Sequence, residues 1–424
     1  MTRSRAKLKH IAGRGQYGLN FPASEYVADG VRLIRTTDLA GGHLTAAENG
    51  IFVPEEAVST QHRLSYRDLL LSRSGTIGRA FLVPEEASGM AWAGFLVRYT
   101  PTPDTDARFL YYCTQSADFQ DAVNADAITS TIQNFNADRY DNLVVPVPLL
   151  GEQRAIADYL DQETAQIDAL VAKQEELIRR LEERRLAVIT ATALTGLRHE
   201  AAGEHDISRW GSSLAVEPWL SRAPESWGME RFKSVCLPRS ERNIAGTEIM
   251  LSLTVRGHLV DRASMTIQQN ASDSSIPRYF VARPNDLVVN PMWLIGGAIG
   301  VSDKRGAVSP DYRVFKINEA LYPWYLHAVL RSAPYFDQYK LYTRANTTFD
   351  RRIKQNDLDN LPLPIPPLDE QRVIVKHIDE QTSRIDKLIT KAEEHIALAK
   401  ERRSALITAA VTGQFDVRTA RKAG

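Results

Sequence analysis

The stretch Asp141–Arg154, DNLVVPVPLLGEQR, returns at Asp359–Arg372 as DNLPLPIPPLDEQR, an offset of 218 residues from Glu152 to Glu370. A chain that contains itself twice is read as a duplication before anything else. The register holds beyond the quoted stretch: Ile167-Asp168 recurs as Ile385-Asp386, and Glu183-Arg184-Arg185 as Glu401-Arg402-Arg403. Near the end one residue drops out, so Leu194-Thr195-Gly196 matches Val411-Thr412-Gly413 at an offset of 217. Prolines at 146 and 148, and at 362, 364, 366 and 367, exclude helix and predict extended straps running to caps at Gly151 and Asp369. No proline interrupts 149–217 or 368–424. Leu160, Ile167, Leu170, Leu177, Leu181 and Val188 take the three-and-four spacing of a coiled-coil seam, and Ile378, Ile385, Leu388, Ala392, Ala399 and Leu406 do the same in the second copy. Gly196 and Gly413 supply the helix stops. A narrow seam interrupted by Gln174 and His395 suits pairing of two helices, and the simplest partner for one copy is the other.

Around these helices lie two segments, about 1–140 and 215–358, whose short apolar runs are broken by Gly and Pro. They read as small mixed α/β heads with irregular sheet. Asp68-Leu69 and Asp286-Leu287 are again 218 apart, so the duplication includes the heads, although these have diverged much further than the helices. A shared scaffold carrying two unlike heads implies two different targets.

The 424 residues carry 52 Lys plus Arg against 52 Asp plus Glu, which excludes coating a polyanion by bulk charge. Cys113 and Cys236 are too few for a disulfide framework or a four-cysteine zinc site, and the histidines show no paired ligand spacing, so no metal is expected. Without a signal-peptide core or an apolar run long enough to span a bilayer, the chain reads as cytoplasmic. Arg3, Arg5, Lys7 and Lys9 form a basic arm, either a phosphate contact or a frayed end.

The chain resembles the specificity subunits of Type I DNA restriction-modification systems along nearly its whole length. Three features carry the resemblance: the proline strap into Glu-Gln-Arg, occurring twice; the helix ending in Glu-Arg-Arg and then Thr-Gly; and RDLLLSRSGTIG at 67–78, similar to a pattern of that family's target-recognition domains. VRLIRTTDL at 31–39 adds to it. The resemblance implies an α+β architecture with an internal pseudo-two-fold repeat. Two mixed α/β target-recognition domains (1–142 and, with a linker, 198–358) are joined by straps and long helices (143–197 and 359–416) forming an antiparallel coiled coil, and 417–424 is a tail. It also implies a non-catalytic reader of double-stranded DNA that scaffolds two methyltransferase subunits, with motor-nuclease subunits added for restriction. S-adenosylmethionine, ATP and magnesium would then belong to those partners and none to this chain. Each head would read half of a split, asymmetric target. Helix length would set the unread spacer, since 40 residues at about 1.5 Å rise make a rod of roughly 60 Å, ample for sites one DNA turn apart.

Base readout needs Arg, Lys, Asn or Gln at base edges, while phosphates accept any nearby donor. In the first head the candidates are Arg73, Ser74, Thr76, Arg79, Thr131, Gln133, Asn134 and Arg139. In the second they are Arg344, Asn346, Thr347, Thr348, Arg351, Arg352 and Lys354. The second head has PMWLIG at 291–296 where the first has RSGTIG at 73–78, so contacts cannot be carried from one to the other.

Two motifs offer an alternative, a DNA adenine methyltransferase or nuclease with degenerate motifs. Asn290-Pro-Met-Trp293 is similar to the catalytic motif of DNA amino-methyltransferases, but its second proline is missing and no glycine-rich cofactor loop precedes it. Gly13-Arg-Gly-Gln-Tyr-Gly18 fits a dinucleotide fingerprint, but the segment before it is too polar for the buried strand that motif requires.

Overall fold

The computed structural model describes residues 4–39, 44–45, 50–127, 135–197, 205, 214–265, 276–343 and 352–417. They fall into two compact units that are not sequential halves: 1–175 with 393–424, and 176–392. Each unit therefore combines one head with one part of each long helix. The helices are α1, Leu150–Thr195, and α2, Leu368–Thr412, of 46 and 45 residues, which matches the single residue lost from the second repeat.

Each helix begins one residue before the caps expected at Gly151 and Asp369, because Glu152 N and Gln153 N bond back to Leu149 O at 2.8 and 3.0 Å, and Gln371 N to Pro367 O at 3.0 Å. Asp369 and Glu370 thus lie inside the first turn, where negative charge suits the helix dipole. Gly196 and Gly413 end the helices with φ of 76° and 80°, a region costly for residues with a Cβ. The straps are extended as the prolines require. Val144–Pro146 pairs antiparallel with Arg5–Lys7, and Pro362–Ile365 with Gly228–Arg231. Arg5 is therefore neither frayed nor idle: it pairs with Asp118 at 3.1 Å, and the Lys7 and Lys9 amines share Asn142 Oδ1 at 3.2 Å. Arg3 lies outside the described residues.

In the first unit the start of α1 (Ile156, Ala157, Leu160) shares a core with the end of α2 (Ile407, Ala410, Val411). In the second the end of α1 (Ile189, Ala193, Leu194) shares a core with the start of α2 (Ile374, Val375, Ile378). The helices pack antiparallel. Arg403 Nε lies 3.0 Å from Asp168 Oδ1, and Arg185 Nε 3.0 Å from Asp386 Oδ1, one ion pair written twice by the duplication. Exposed pairs of this kind add little stability, so their contribution is to register.

Of the seam positions, Leu160, Ile167, Leu181, Ile378, Ile385 and Ala399 are buried, and Val188 and Leu406 half-buried. Leu170, Leu177 and Leu388 are instead 47%, 43% and 51% exposed, a correction to the seam. The seven-residue rows 160, 167, 181, 188 and 378, 385, 399, 406 face inward, whereas Leu170, Leu177 and Leu388 stand three residues beyond a position of those rows, so one row of the expected two makes the contact. Thr164 and Thr382, 218 apart, are buried where an apolar count passes them over.

Each head is built on a four-stranded antiparallel sheet of the same order. In the first it runs Gln16–Tyr17, Leu96–Tyr99, Leu69–Ser72, Ala80–Leu82; in the second Cys236–Pro238, Arg313–Ile317, Asp286–Val289, Ile299–Val301. The central strands Leu69–Ser72 and Asp286–Val289 are buried at every residue, which explains their unbroken apolar runs. Among the described residues no helix is long and apolar enough to cross a membrane.

Candidate nucleic-acid interface

Each central strand is launched by the same turn. Arg67 and Asn285, 218 apart, are the described non-glycine residues with positive φ, at 68° and 69°. The buried aspartate that follows closes the turn: Asp68 Oδ2 accepts from Ser65 N at 2.8 Å, and Asp286 Oδ2 from Arg283 N at 2.9 Å. Left-handed backbone costs about 1 kcal/mol or more for such residues, so its recurrence marks a point where direction is enforced. The strand then runs straight into the loop that sequence alone singled out in both heads.

In the first head the loop after Ser72 is pinned from beneath. Ser72 Oγ donates to Thr76 O and accepts from Arg79 N at 3.0 Å. The buried Tyr140 hydroxyl accepts from Gly78 N at 2.9 Å and donates to Ser72 O at 2.7 Å. Burial pushes the Tyr140 pKa well up, so it keeps its proton. Gly75 and Gly78 take φ of 71° and 80° to complete the reversal. The Arg73 guanidinium stacks over Tyr17, 4.6 Å from the ring centroid. Arg139, in the short helix Ala137–Asn142, lies 5.9 Å from the Phe135 centroid. The result brings Arg73, Ser74, Thr76 and Arg79 onto one loop, with Thr76 and Arg79 exposed and Arg73 and Ser74 half-buried.

In the second head Asn290 N bonds to Ala298 O at 2.9 Å, and Asn290 Oδ1 accepts from Met292 N at 3.1 Å. The brace from beneath is now Arg331, which donates to the carbonyls of Gly297, Ile299 and Val255. Burial lowers its pKa to about 10, leaving it charged at neutral pH. Trp293 stands 57% exposed on the loop. Arg352 Nε reaches Met292 Sδ at 3.3 Å, and Lys354 is exposed at the start of the helix Gln355–Asp359.

One contact joins both loops to the remaining candidates. Phe135 N bonds to Arg73 O at 2.9 Å, and Ile353 N to Pro291 O at 3.1 Å; both residues are fully buried, and donors and acceptors alike are 218 apart. Thr131, Gln133, Asn134, Arg344, Asn346, Thr347, Thr348 and Arg351 lie outside the described residues. The docking residues Phe135 and Ile353, like Tyr140 and Arg331, escape a search for basic and polar runs. Their signal was available only by aligning the repeats, where Phe135 falls on Ile353 and Tyr140 on Leu358.

A model of the Type I restriction modification DNA specificity domain matches residues 52–180, a span holding the first head's loop, its docking residue and most of α1. Over 420 residues the chain is 21% identical to the EcoBI Type I restriction enzyme specificity subunit of Escherichia coli, covering 94% of this chain and 83% of that one. The chain thus carries a Type I restriction modification DNA specificity domain and is similar along nearly its whole length to Type I specificity subunits. Identity to the EcoKI specificity subunit of Escherichia coli K12 is 20% over 424 residues, covering 96% of this chain and 86% of that one. Its fold is that of a chain in a solved type I R-M system, described for its complex assembly and conformational transition, at a TM-score of 0.64, 17% identity and 98% coverage of both chains.

Two further motifs of this chain have plain structural roles. The glycines at 13–18 leave the short helix Leu8–Ala12 and enter an edge strand, the reverse of a strand-to-helix phosphate turn. Asn290 spends its side chain on its own turn, accepting from Met292 N.

Proposed function

We propose that this subunit reads a bipartite, asymmetric sequence in double-stranded DNA, one half with the loop at 73–79 and the other with the loop at 290–298. The single observation that carries this reading is the pair of loops held by equivalent turns and equivalent docking contacts, yet unlike in sequence. A duplicated frame presenting two different surfaces suits two different half-sites. Arg73, Ser74, Thr76, Arg79, Thr131, Gln133, Asn134 and Arg139 would serve the first, and Arg344, Asn346, Thr347, Thr348, Arg351, Arg352 and Lys354 the second. The antiparallel helices set the unread spacer and hold two methyltransferase subunits, to which motor-nuclease subunits attach for restriction. The subunit itself does no chemistry; S-adenosylmethionine, ATP and magnesium act in the partners. Its balance of 52 basic and 52 acidic residues suits weak DNA binding alone and tighter binding once partners add basic surface.

Long-read detection of modified adenine in a strain with and without this gene tests the reading. A split motif that vanishes with the gene is expected, and replacement of residues 290–298 should change one half of the motif alone. No gene-dependent motif, or a change in both halves, would sink it. Labelled S-adenosylmethionine should crosslink to the methyltransferase subunits and leave this chain unlabelled.

A further inference from the structure

Gln153 and Gln371, the glutamines of the repeated Glu-Gln-Arg, are 1% and 0% exposed in the first turns of α1 and α2. Each amide makes the same three bonds. Gln153 Oε1 accepts from Asp106 N at 2.8 Å, while its Nε2 donates to Asp104 O at 3.2 Å and Pro148 O at 2.9 Å. Gln371 Oε1 accepts from Tyr322 N at 2.6 Å, while its Nε2 donates to Ala320 O at 2.9 Å and Pro366 O at 2.8 Å. One acceptor and both donors of each amide are engaged, nearly the full capacity of the group. Within each unit these bonds join three pieces of chain: the proline strap, the start of the long helix, and the loop that opens a head helix. Asp106 and Tyr322 are the N-caps of the head helices Ala107–Gln115 and Pro323–Leu330. The amide itself is uncharged and directional; in the first unit the same two helices are also tied by Arg108 to Asp158 and Asp161 at 3.0 and 2.7 Å.

We infer that Gln153 and Gln371 are positioning residues that fix the angle at which each head leaves its long helix, and thereby the stringency for spacer length. The inference rests on the bipartite reading above. A ruler discriminates between spacers only if the elements it carries cannot pivot, and in each unit the head helix starts at the atoms the glutamine holds. Loss of the amide leaves the Asp106 or Tyr322 N–H and two carbonyls unpaired in a buried place, which favours opening of the junction. The residues that face DNA are untouched.

The test uses the full chain in complex with its methyltransferase subunits. Gln153→Met and Gln371→Met keep side-chain volume and remove the bonds. Methylation rates are measured on duplexes carrying both half-sites at the native spacer and at spacers one and two base pairs shorter and longer. The expected result is a loss of discrimination between native and altered spacers of at least about fivefold, with base preference inside each half-site unchanged. A rate that falls equally at every spacer, as a purely stabilising role predicts, would overturn the inference, as would altered base preference. If the methionine variants do not yield soluble complex, Gln153→Glu, which keeps the acceptor and loses both donors, is read on the same library. Failure of the parent reading looks different: the unsubstituted complex would then show no split target at all.

Discussion

The two heads share their frame and differ in what braces the loop it presents. Both turn into the central strand through a left-handed residue and a buried aspartate, and both dock a buried residue on the carbonyl that follows the strand. Beneath the loop the resemblance ends. The first head uses the Tyr140 hydroxyl, and the aligned residue of the second is the apolar Leu358, fully buried. The second head uses Arg331 against three carbonyls, and no arginine of the first plays that part among the bonds described. A duplicated frame held by backbone bonds tolerates change in the loop, provided each new loop finds a new brace. Divergence has therefore run through loop and brace together, while turn and dock stayed.

The same aspartate has different partners in the two heads, and that is where the largest effect is expected. Asp286 is gripped by Arg239 at 2.7 and 3.1 Å, whereas the guanidinium nearest Asp68 stands at 3.7 Å and Thr100 Oγ1 bonds it at 2.6 Å. Asp286→Ala breaks a buried pair and should cost about 3–5 kcal/mol. Asp68→Ala should cost about 2 kcal/mol, the scale of hydrogen bonds to a charged acceptor. Amide exchange of Leu287 and Leu69 in the full chain measures both, and equal losses would break the comparison. Next come the braces. Arg331→Met should cost about 2–3 kcal/mol and Tyr140→Phe about 1 kcal/mol, again by the difference between charged and neutral bonds. Faster exchange confined to Ile299 in the first variant and Gly78 in the second would place each brace in its own head.

Much of the frame was legible from local signals. Prolines at 146, 148, 362 and 364 dictate extended straps, glycines 196 and 413 dictate helix stops, and apolar spacing dictates long helices, because each acts through its own backbone. The seam was legible only in part. Leu170, Leu177 and Leu388 fit the spacing yet face solvent, because burial depends on where a second helix lies and not on period alone. The loop at 73–79 was visible through basic and polar composition, and that at 290–298 only through its alignment with it; Tyr140 and Arg331 were not, because their partners are carbonyls far along the chain, to which composition is blind. Lys7 and Lys9, read as phosphate contacts or a frayed arm, are tied to Asn142 for the same reason.

A smaller difference between the heads lies in their response to acid. The His327 ring accepts from Val301 N at 3.2 Å through Nδ1, which requires an uncharged ring nitrogen. Burial, reinforced by Arg331 and then His258, lowers its pKa from 6.5 to about 3. The folded value lies below the unfolded one, so the stability this ring gives is complete above pH 6.5 and drains away as pH falls towards 3. Protection factors at Val301, on an outer strand of the second head's sheet, should therefore fall between pH 6.5 and 4 before those at Leu82, the equivalent strand of the first. Simultaneous loss would remove this distinction.

The smallest effect on stability is expected where the two loops differ most. Gly75 aligns with Trp293. Gly75 takes a left-handed φ of 71° with nothing within 4 Å of a Cβ built on it, so Gly75→Ala should cost about 1 kcal/mol through backbone strain alone. Trp293 holds its loop through backbone groups: its N donates to Asn290 O at 3.2 Å, and its O accepts from Gly296 N at 3.0 Å and Ala298 N at 3.2 Å. Those bonds survive Trp293→Ala, and a side chain 57% exposed leaves little packing to lose, so unfolding should move by no more than about 0.5 kcal/mol. The methylation motif should behave in the opposite way, with base preference changed in one half-site and preserved in the other. A variant that unfolds easily would show that the indole supports the head from within; one that folds normally and methylates the same motif would show that the loop's surface is not what reads DNA.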